Sequence, residues 1–525
     1  MASSRSTLIN QTLMRIPRRA DSVDRPTLVR TFVAVGPLFG MLGSVDHQVL
    51  FGRRGTGKTH ALLCLANLVE QSGDVAVYID LRTVGSAGGL YTDPHVDLAY
   101  RATQLVVDTL ESVHDSLVEY ALTDGCSASG ELLPRLDALA EAASAVQVIG
   151  EVEHETKIGD TARTAASTQV GISAGGPRLS MGASASREAS HSTEARLRRS
   201  GQERHHVLFG PVGRALQRVI QALAGSRLWI LLDEWSSVPL ELQPLLADLL
   251  RRSLFPAHGV TVKIAAIERR SRFRDHREGG DYVGLELGAD VAAGLDLDNF
   301  LIFDREDELA QAFFRTLLFK HALVQVSQPA RLGRATAGAN EFVQASFKKD
   351  AFAELVRAAE GVPRDAINLV ALAAQYADNS SIGIAEVRKA AREWYLRDKQ
   401  GAISANPDAR HLLRLLVDEV VGRRRARTFL LDQADQHTTA IRDLYDARLL
   451  HILRHGIVAP DQPGTQYDGF AIDYGCYVAL MSAKDDFHSG NWYDTWLRAQ
   501  PDMAPDNFHG ILRSVVDLHT LYTGQ

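Results

Sequence analysis

The chain alternates between short apolar runs and longer stretches in which apolar residues recur at helical spacing. Short runs bounded by polar residues are typical of buried strands, and the longer stretches are typical of amphipathic helices. The runs that predict strands cover 49–51, 75–80, 228–232, 261–267 and 300–303. Strands that alternate with helices predict an α/β fold whose core is a doubly wound parallel sheet.

A glycine-rich segment joins the first predicted strand to a helix predicted over 60–71. It has the form G-x-x-x-x-G-K-[ST], in the strand-loop-helix context that this motif requires. In such a loop the glycines turn backbone N–H groups toward phosphate oxygens, Lys58 adds a positive charge, and the Thr59 hydroxyl binds Mg²⁺. The expected cofactors are therefore ATP and Mg²⁺; the alternative is a chance glycine-rich turn. The predicted nucleotide contacts are Gly52, Arg53, Arg54, Gly55, Thr56, Gly57, Lys58, Thr59 and His60.

Two acidic residues follow the apolar run 228–232. A buried strand that ends in Asp-Glu is typical of a Walker B motif when the same chain carries a phosphate loop. Asp233 would then help to hold Mg²⁺, and Glu234 would polarise the attacking water as general base. In the alternative interpretation, Asp233 only caps a helix that begins at about Val238.

The part of the chain after the predicted sheet is helical over 304–397 and is interrupted by Gly361-Val362-Pro363-Arg364. Beyond residue 400 the pattern predicts helices over 408–421, 428–435 and 438–453, then β-like runs at 456–458 and 470–480. Three helices followed by a hairpin resemble a winged helix, a domain that binds DNA in some proteins and protein in others. The basic residues available for DNA are the cluster Arg423, Arg424, Arg425 and Arg427, with Arg442, Arg448, His451 and Arg454 on the third helix.

Taken in this order, the motifs resemble the origin-recognition and initiator branch of AAA+ ATPases, and STAND signalling ATPases are the near alternative. The resemblance implies a P-loop core, an α-helical lid from which Arg364 reaches the nucleotide phosphates, and a C-terminal winged helix. Glu268 stands where the family usually has Asn, Ser or Thr, which weakens a sensor assignment there. The family also completes its site with an arginine from a neighbouring subunit in a homo-oligomer. The candidates are Arg251, Arg252, Arg269, Arg270, Arg272, Arg274 and Arg277.

The resulting domain prediction has five parts and one insertion. They are an N-terminal arm over 1–24, expected to be frayed, an ATPase core over 25–303, a helical lid over 304–400, a winged-helix-like domain over 401–482 and a tail over 483–525. The insertion lies at about 125–206, between helices predicted over 95–121 and 210–224. Its period-2 runs at 146–158 and 169–184 predict a protruding hairpin that could bind a protein partner, and a disordered linker is the alternative.

Composition narrows the class of protein further. The chain has 525 residues, 45% of them hydrophobic, and a net charge of −7, so it is not a general polyanion binder and any DNA contact must be local. The three cysteines, Cys64, Cys126 and Cys476, lack metal-site spacing and indicate a reducing compartment. No apolar run approaches the roughly 18 residues of a membrane span. These features predict a cytoplasmic protein without a membrane segment.

The sequence therefore predicts an ATP-binding and ATP-hydrolysing enzyme that couples nucleotide state to assembly on DNA. The alternative is a STAND-like signalling or defence switch that oligomerises when a protein or nucleic acid triggers it.

Overall fold

The structure is a computed structural model, and it places two compact units. The sheet unit comprises Leu42–Leu50 and Leu65–Leu295, and the loop unit comprises Met1–Met41, Phe51–Cys64 and Asp296–Gln525. The residues that the structure describes are 2–34, 36–85, 89–123, 129–148, 152–154, 172–173, 197–199, 205–207, 209–223, 225–276, 281–298, 307–326, 333–424, 426–435, 438–458, 465–483 and 515–523.

The strands within these ranges are β1 (Gln48–Phe51), β2 (Val75–Asp80), β3 (Ala145–Val148), β4 (Val152–His154), β5 (Ile172–Ser173), β6 (Leu197–Arg199), β7 (His205–Val207), β8 (Leu228–Asp233), β9 (Val260–Ala266), β10 (Arg274–His276), β11 (Tyr282–Gly284), β12 (Ala292–Asp296), β13 (Thr428–Asp432), β14 (Leu450–Val458), β15 (Gln466–Ile472) and β16 (Val515–Val516).

The helices within the same ranges are α1 (Ala2–Met14), α2 (Arg25–Thr31), α3 (Leu38–Leu42), α4 (Lys58–Gln71), α5 (Leu98–Ala121), α6 (Ser129–Ser144), α7 (Phe209–Ala222), α8 (Gln243–Leu249), α9 (Asp307–Gln325), α10 (Ala339–Ser346), α11 (Ala351–Ala359), α12 (Pro363–Ala377), α13 (Ile384–Trp394), α14 (Gln400–Ala402), α15 (Pro407–Leu416), α16 (Thr439–Asp446), α17 (Tyr474–Ala483) and α18 (Leu518–Thr523).

The sheet unit is built on a five-stranded sheet of order β12-β1-β9-β8-β2. β8 lies parallel to both of its neighbours, with Asp233 opposite Asp80 on β2 and Leu228 opposite Val260 on β9. All six residues of β8 are buried, as expected for a central strand covered on both faces. The predicted α/β class with a parallel central sheet is thus confirmed. The strand expected at 300–303 lies outside the described residues, and β12 occupies the edge position of the sheet.

The region predicted as an insertion contains elements that periodicity did not reveal. Its flanking helices α5 and α7 lie where they were predicted, but the insertion itself begins with α6, where the pattern predicted no helix. The run 146–158 contributes β3 and β4, and β5 is the described part of the run 169–184. β3 pairs antiparallel with β5 and β7, and β4 pairs antiparallel with β6, so each run also finds partners outside the predicted hairpin.

The N-terminal arm of the loop unit is not frayed. Ala2–Met14 form α1, whose Ile9 and Leu13 side chains are buried. The Asn10 amide donates hydrogen bonds of 2.8 and 2.9 Å to the carbonyl oxygens of Asp378 and Ser380, just beyond the end of α12. Carbonyl groups at a helix end need partners from outside the helix, and α1 supplies a donor to two of them.

The C-terminal part of the loop unit departs from three of the predicted elements. Residues 428–432 form β13 instead of a helix, the helix predicted over 438–453 ends at Asp446, and the run 470–480 is the end of β15 followed by α17. The sheet has the order β14-β15-β13-β16, with β13 antiparallel to β15. Short apolar runs are ambiguous between strand and buried helix, which explains the errors.

No helix among the described residues is long and apolar enough to cross a membrane. Cys64 and Cys476 are buried free thiols, whose pKa burial raises to about 12.

Replacing Gly475 by alanine should destabilise the loop unit. A Cβ atom at this position of α17 would collide with the Ala391 carbonyl oxygen on α13 and lie 2.9 Å from the Tyr395 Cβ atom. Overpacking of this kind costs about 1–3 kcal/mol. Gly401→Ala is the matched control, because nothing lies within 4 Å of its added Cβ. Urea unfolding should show a lower midpoint for Gly475→Ala alone; equal midpoints would mean that the two helices are not packed this closely.

Candidate nucleotide-binding site

The glycine-rich segment forms the loop that its sequence predicts. Gly52, Gly55 and Gly57 have φ values of 157°, 90° and 101°, which side-chain-bearing residues rarely adopt. A Cβ atom on Gly52 would lie 2.6 Å from Thr56 Oγ1, whereas nothing lies within 4 Å of one on Gly57. The loop leads directly into α4 at Lys58. A glycine loop at a helix N-terminus presents N–H groups to an anion, so this backbone fits a phosphate.

Lys58 is buried and lies against the backbone of its own loop. Its Nζ atom donates to the carbonyl oxygens of Gly52 at 2.7 Å and Arg53 at 3.0 Å. The Arg53 carbonyl also accepts a hydrogen bond of 2.9 Å from Thr56 Oγ1. The ammonium group is therefore held at the loop, where the predicted phosphate contact requires it.

The remaining predicted contacts differ in their surroundings. Arg54 is exposed, Thr59 is half-buried at the start of α4, and the His60 Nε2 atom bonds the Leu28 carbonyl oxygen at 2.7 Å. Burial lowers the pKa of His60 and outweighs the opposing effect of that hydrogen bond. The His60 ring is thus neutral near pH 7, and its Nε2 atom is already bonded to another part of the protein.

Arg53 is the residue whose role sequence reasoning missed. Its backbone N–H and its Nε atom donate to the two oxygens of Asp298, at 2.8 and 2.9 Å. Its Nη2 atom donates to the Glu360 carbonyl oxygen at 3.1 Å, and Nη1 contacts His451 Nδ1. Only 3% of Arg53 is exposed. The position was expected to face nucleotide, yet its side chain is occupied by protein partners.

The predicted Gly-x-Pro-Arg turn lies beside the loop. The Arg364 N–H donates to the Gly55 carbonyl oxygen at 3.2 Å, and a Cβ atom on Gly55 would lie 2.8 Å from the Arg364 Cβ atom. The turn before α12 contains two consecutive residues with positive φ, Glu360 at 52° and Gly361 at 74°. The structure therefore brings Arg364 to the loop backbone, and its contact with phosphate stays a prediction.

The acidic pair of the sheet unit is held rigidly at the end of β8. Asp233 is fully buried, and its two oxygens accept hydrogen bonds of 2.8 Å from Tyr78 Oη and from the Glu234 N–H. Burial and the neighbouring Asp233 charge raise the pKa of Tyr78, which keeps the phenol protonated as donor. Tyr78 is a second residue that sequence reasoning missed. A tyrosine hydroxyl within the apolar run 75–79 was the available signal.

Glu234 has the left-handed backbone conformation, with φ of 56°. Non-glycine residues in this region store strain, and such strain clusters at functional sites. The Ser237 N–H donates to the Glu234 carbonyl oxygen at 2.8 Å, and the neighbouring Trp235 side chain is completely buried. The hydrogen bond and the buried side chain both stabilise the turn. The helix-capping alternative for Asp233 is wrong, because the next α-helix, α8, begins at Gln243 without a side-chain cap.

The Asp233 side chain is buried and already oriented by two donors, as a metal-binding carboxylate is. Oxygen ligands of this kind are what Mg²⁺ prefers. Metal binding by Asp233 and by Thr59 stays a prediction.

Four of the arginines considered for a shared site already pair with acids of this chain. Arg251 and Arg252 bond Asp248, Arg272 contacts Asp275, and Arg274 bonds Glu286. The pairs of Arg272 and Arg274 are exposed on both sides and contribute little energy, so these two arginines can exchange partners, whereas Asp248 is buried. Glu268 is exposed, Arg269 and Arg270 are half-buried, and Arg277 lies outside the described residues.

Three of the seven described basic residues that were expected to face DNA are buried, namely Arg427, Arg448 and His451. Arg427 contacts Glu360 and Arg448 contacts Asp365 and Asp398, with both arginines buried. Their companions are less enclosed. Arg424 bonds Glu419 and the Val515 carbonyl oxygen, Arg423 is 82% exposed beside Glu419, Arg442 lies 3.9 Å from Asp443, Arg454 is half-buried, and Arg425 lies outside the described residues.

Comparison with solved structures finds chains that resemble this one. The chain is similar to the solved structure of the Aeropyrum pernix Orc1 protein in complex with DNA, with 12% sequence identity and a TM-score of 0.32. The match covers 88% of this chain and 96% of that chain. No protein-family model matches the chain, and no curated protein matches it. The function is therefore inferred from the residues themselves.

Replacing Gly55 by alanine should separate the loop from the start of α12. The added Cβ atom would meet Arg364, and the positive φ adds strain of about 1–3 kcal/mol. Gly456→Ala is the control in the same unit, because it has a φ of 64° but nothing within 4 Å of the added atom. Urea unfolding should show that Gly55→Ala loses about 1–3 kcal/mol more of its free energy of unfolding than Gly456→Ala does. Equal losses would show that Arg364 is not held against the loop.

Proposed function

We propose that this protein is a P-loop ATPase of AAA+ type that binds ATP with Mg²⁺ and hydrolyses it. The observation that carries the proposal is the loop backbone at 52–57, with three glycines at positive φ, followed by a buried Lys58 at the first residue of α4. This arrangement favours phosphate over other ligands because its donors are backbone N–H groups and one ammonium.

Each residue of the site has a distinct role in the proposal. Lys58 neutralises phosphate charge, and Thr59 and Asp233 hold the metal, which when bound supplies charge stabilisation to the transferred phosphoryl group. Glu234 accepts the proton of the attacking water. Arg364, at the start of α12 beside the loop, contacts phosphate from the helical region that would serve as lid.

Hydrolysis would be coupled to assembly of a homo-oligomer on DNA. The C-terminal helix-and-sheet region would act as the winged helix that contacts DNA, and an arginine from a neighbouring subunit would complete the site. The insertion strands would offer a surface for a protein partner. The exposed Arg423 supports a DNA contact, because a solvated guanidinium at the end of a helix can reach a phosphate.

A second candidate function is a signalling switch of STAND type. The observation that favours it is the burial of Arg427, Arg448 and His451, which form ion pairs and hydrogen bonds inside the loop unit. Basic residues used in this way stabilise the C-terminal region and leave fewer cations for nucleic acid. DNA dependence distinguishes the two candidates.

Substitutions at Lys58 and Glu234 should separate binding from hydrolysis. Lys58→Ala should abolish nucleotide binding because the phosphate charge loses its cation. Glu234→Gln should bind ATP normally and lose about 10²- to 10⁴-fold in hydrolysis rate, the usual effect of removing a general base. Calorimetric titration and a phosphate-release assay measure the two properties. Glu241→Gln, an exposed glutamate that pairs with Arg101, is the control. Wild-type hydrolysis by Glu234→Gln would contradict the assignment of the base.

Neutralising Arg423, Arg424 and Arg425 together should weaken DNA binding. Each DNA phosphate that is no longer neutralised should make the slope of log affinity against log salt shallower by about 0.9 for duplex DNA. ATP affinity should change little. Anisotropy titrations over a salt series test this, with Arg397→Ala, an exposed arginine that pairs with Glu393, as control. An unchanged slope would exclude the cluster from the interface, and absence of any DNA binding would favour the signalling switch.

A further inference from the structure

Arg53 joins the phosphate-binding loop to three distant parts of the chain. It bonds Asp298 beyond β12, the Glu360 carbonyl oxygen before α12, and His451 on β14. Its guanidinium also lies 5.6 Å from the centre of the Tyr445 ring on α16, and the Tyr445 hydroxyl donates to Asp298 at 3.3 Å. Two of these partners, Tyr445 and His451, belong to the C-terminal region. One loop side chain thus contacts both the predicted lid and the C-terminal sheet.

The contact between Arg53 and His451 defines the state of the histidine. Arginine has donors but no acceptor, so His451 Nδ1 must accept and carries no proton. The proton is then on Nε2, which donates to Asp473 Oδ1 at 3.3 Å. Burial lowers the pKa of His451, with Arg53 and Lys399 adding to the effect, so the ring is neutral. The histidine therefore bridges a cation of the loop and an anion of the C-terminal region.

Asp473 fixes the other side of this bridge. It accepts from Lys399 Nζ at 2.5 Å and from the Cys476 N–H at 3.0 Å, and Lys399 also lies 3.1 Å from Asp365. All of these side chains are buried. The ring of His451 consequently cannot turn away from Arg53 without breaking a buried charge network.

The backbone of Arg53 connects this network to the phosphate site. Its carbonyl oxygen accepts from Lys58 Nζ, and its N–H is fixed by Asp298. A displacement of Arg53 therefore moves an acceptor of the lysine that is expected to contact phosphate.

We propose that Arg53 is a positioning residue through which the C-terminal sheet sets the affinity of the loop for nucleotide. The proposal rests on the nucleotide binding proposed above. His451 on β14 fixes the Arg53 side chain, and Arg53 in turn fixes the backbone of the loop. The loop and Lys58 are then in position to bind phosphate. By thermodynamic reciprocity, bound nucleotide must stabilise β14 to the same extent.

The test uses the full chain, with His451→Phe as the main variant. Phenylalanine keeps an aromatic ring but cannot accept from Arg53. His455→Phe is the matched control, because His455 lies on the same strand and bonds Asp468 instead of the loop. ADP affinity is measured by calorimetry, and amide hydrogen exchange is followed in β14 and α4 with and without ADP.

ADP should slow exchange in both β14 and α4 of the wild-type protein. His451→Phe should bind ADP about 5- to 150-fold more weakly, the range typical of coupled sites. At saturating ADP it should keep protection of α4 but lose the ADP-dependent protection of β14, which a general loss of stability would not produce. His455→Phe should match wild type. Arg53→Lys, which keeps the charge but not the planar fork, should also weaken binding.

The outcomes separate this inference from the proposed function. If wild type binds ADP and His451→Phe shows the same affinity and the same β14 protection, the coupling is overturned while the nucleotide site stands. A higher affinity in His451→Phe would also overturn it, because the contact would then restrain the loop. If wild type binds no ADP, both the proposed function and this inference fail.

Discussion

The loop unit depends on the burial of one arginine. Arg53 is only 3% exposed, so its guanidinium loses its hydration, and several kcal/mol must be recovered from partners. Burial by itself acts to lower the pKa of Arg53, but Asp298, Tyr445 and Glu360 outweigh it and raise that pKa, so the charge persists. The position of each partner is thereby restricted, because displacing any of them leaves a buried charge without compensation.

The same constraint extends through the C-terminal region. Asp365 and Asp473 are completely buried, and burial alone would raise the pKa of both carboxyl groups. Lys399 contacts both carboxylates, and its charge lowers the pKa of each. Arg448 also lowers the pKa of Asp365, and His451 also lowers that of Asp473. Charges placed in this way act as a fixed framework, since removing one partner of a buried pair typically costs about 3–5 kcal/mol. The buried basic residues of this region therefore stabilise the fold, whether or not the region also binds an external partner.

In the sheet unit a different constraint positions the acidic pair. β8 pairs in parallel with β2 on one side and β9 on the other, so Asp233 at its end is buried. Tyr78 on the adjacent strand supplies the donor that such a carboxylate needs, and the left-handed turn at Glu234 follows directly. The Asp233 side chain is thus buried and oriented, and the Glu234 backbone after it has a strained conformation of the kind that clusters at functional sites.

Features that depend on spacing within a few residues could be predicted before the fold was known. The glycine positions of the loop, the strands β2, β8 and β9, the helix α4 and the turn before Arg364 all follow from patterns within a few residues, because backbone conformation and burial impose them locally. The acids after β8 were predicted for the same reason. Their chemical roles stay predictions.

The partners of the charged residues could not be predicted, because they come from distant parts of the chain. Asp298, Glu360 and His451 lie 245, 307 and 398 residues from Arg53, and no periodicity links positions so far apart. Residues 428–432 were predicted as part of a helix, and they form a strand because β15 pairs with them. Arg427 and Arg448 looked like surface cations, and their burial depends on acids from other helices. Whether a charged side chain stabilises the protein or is free to bind a ligand depends on which residues lie next to it. Those neighbours are set by the fold.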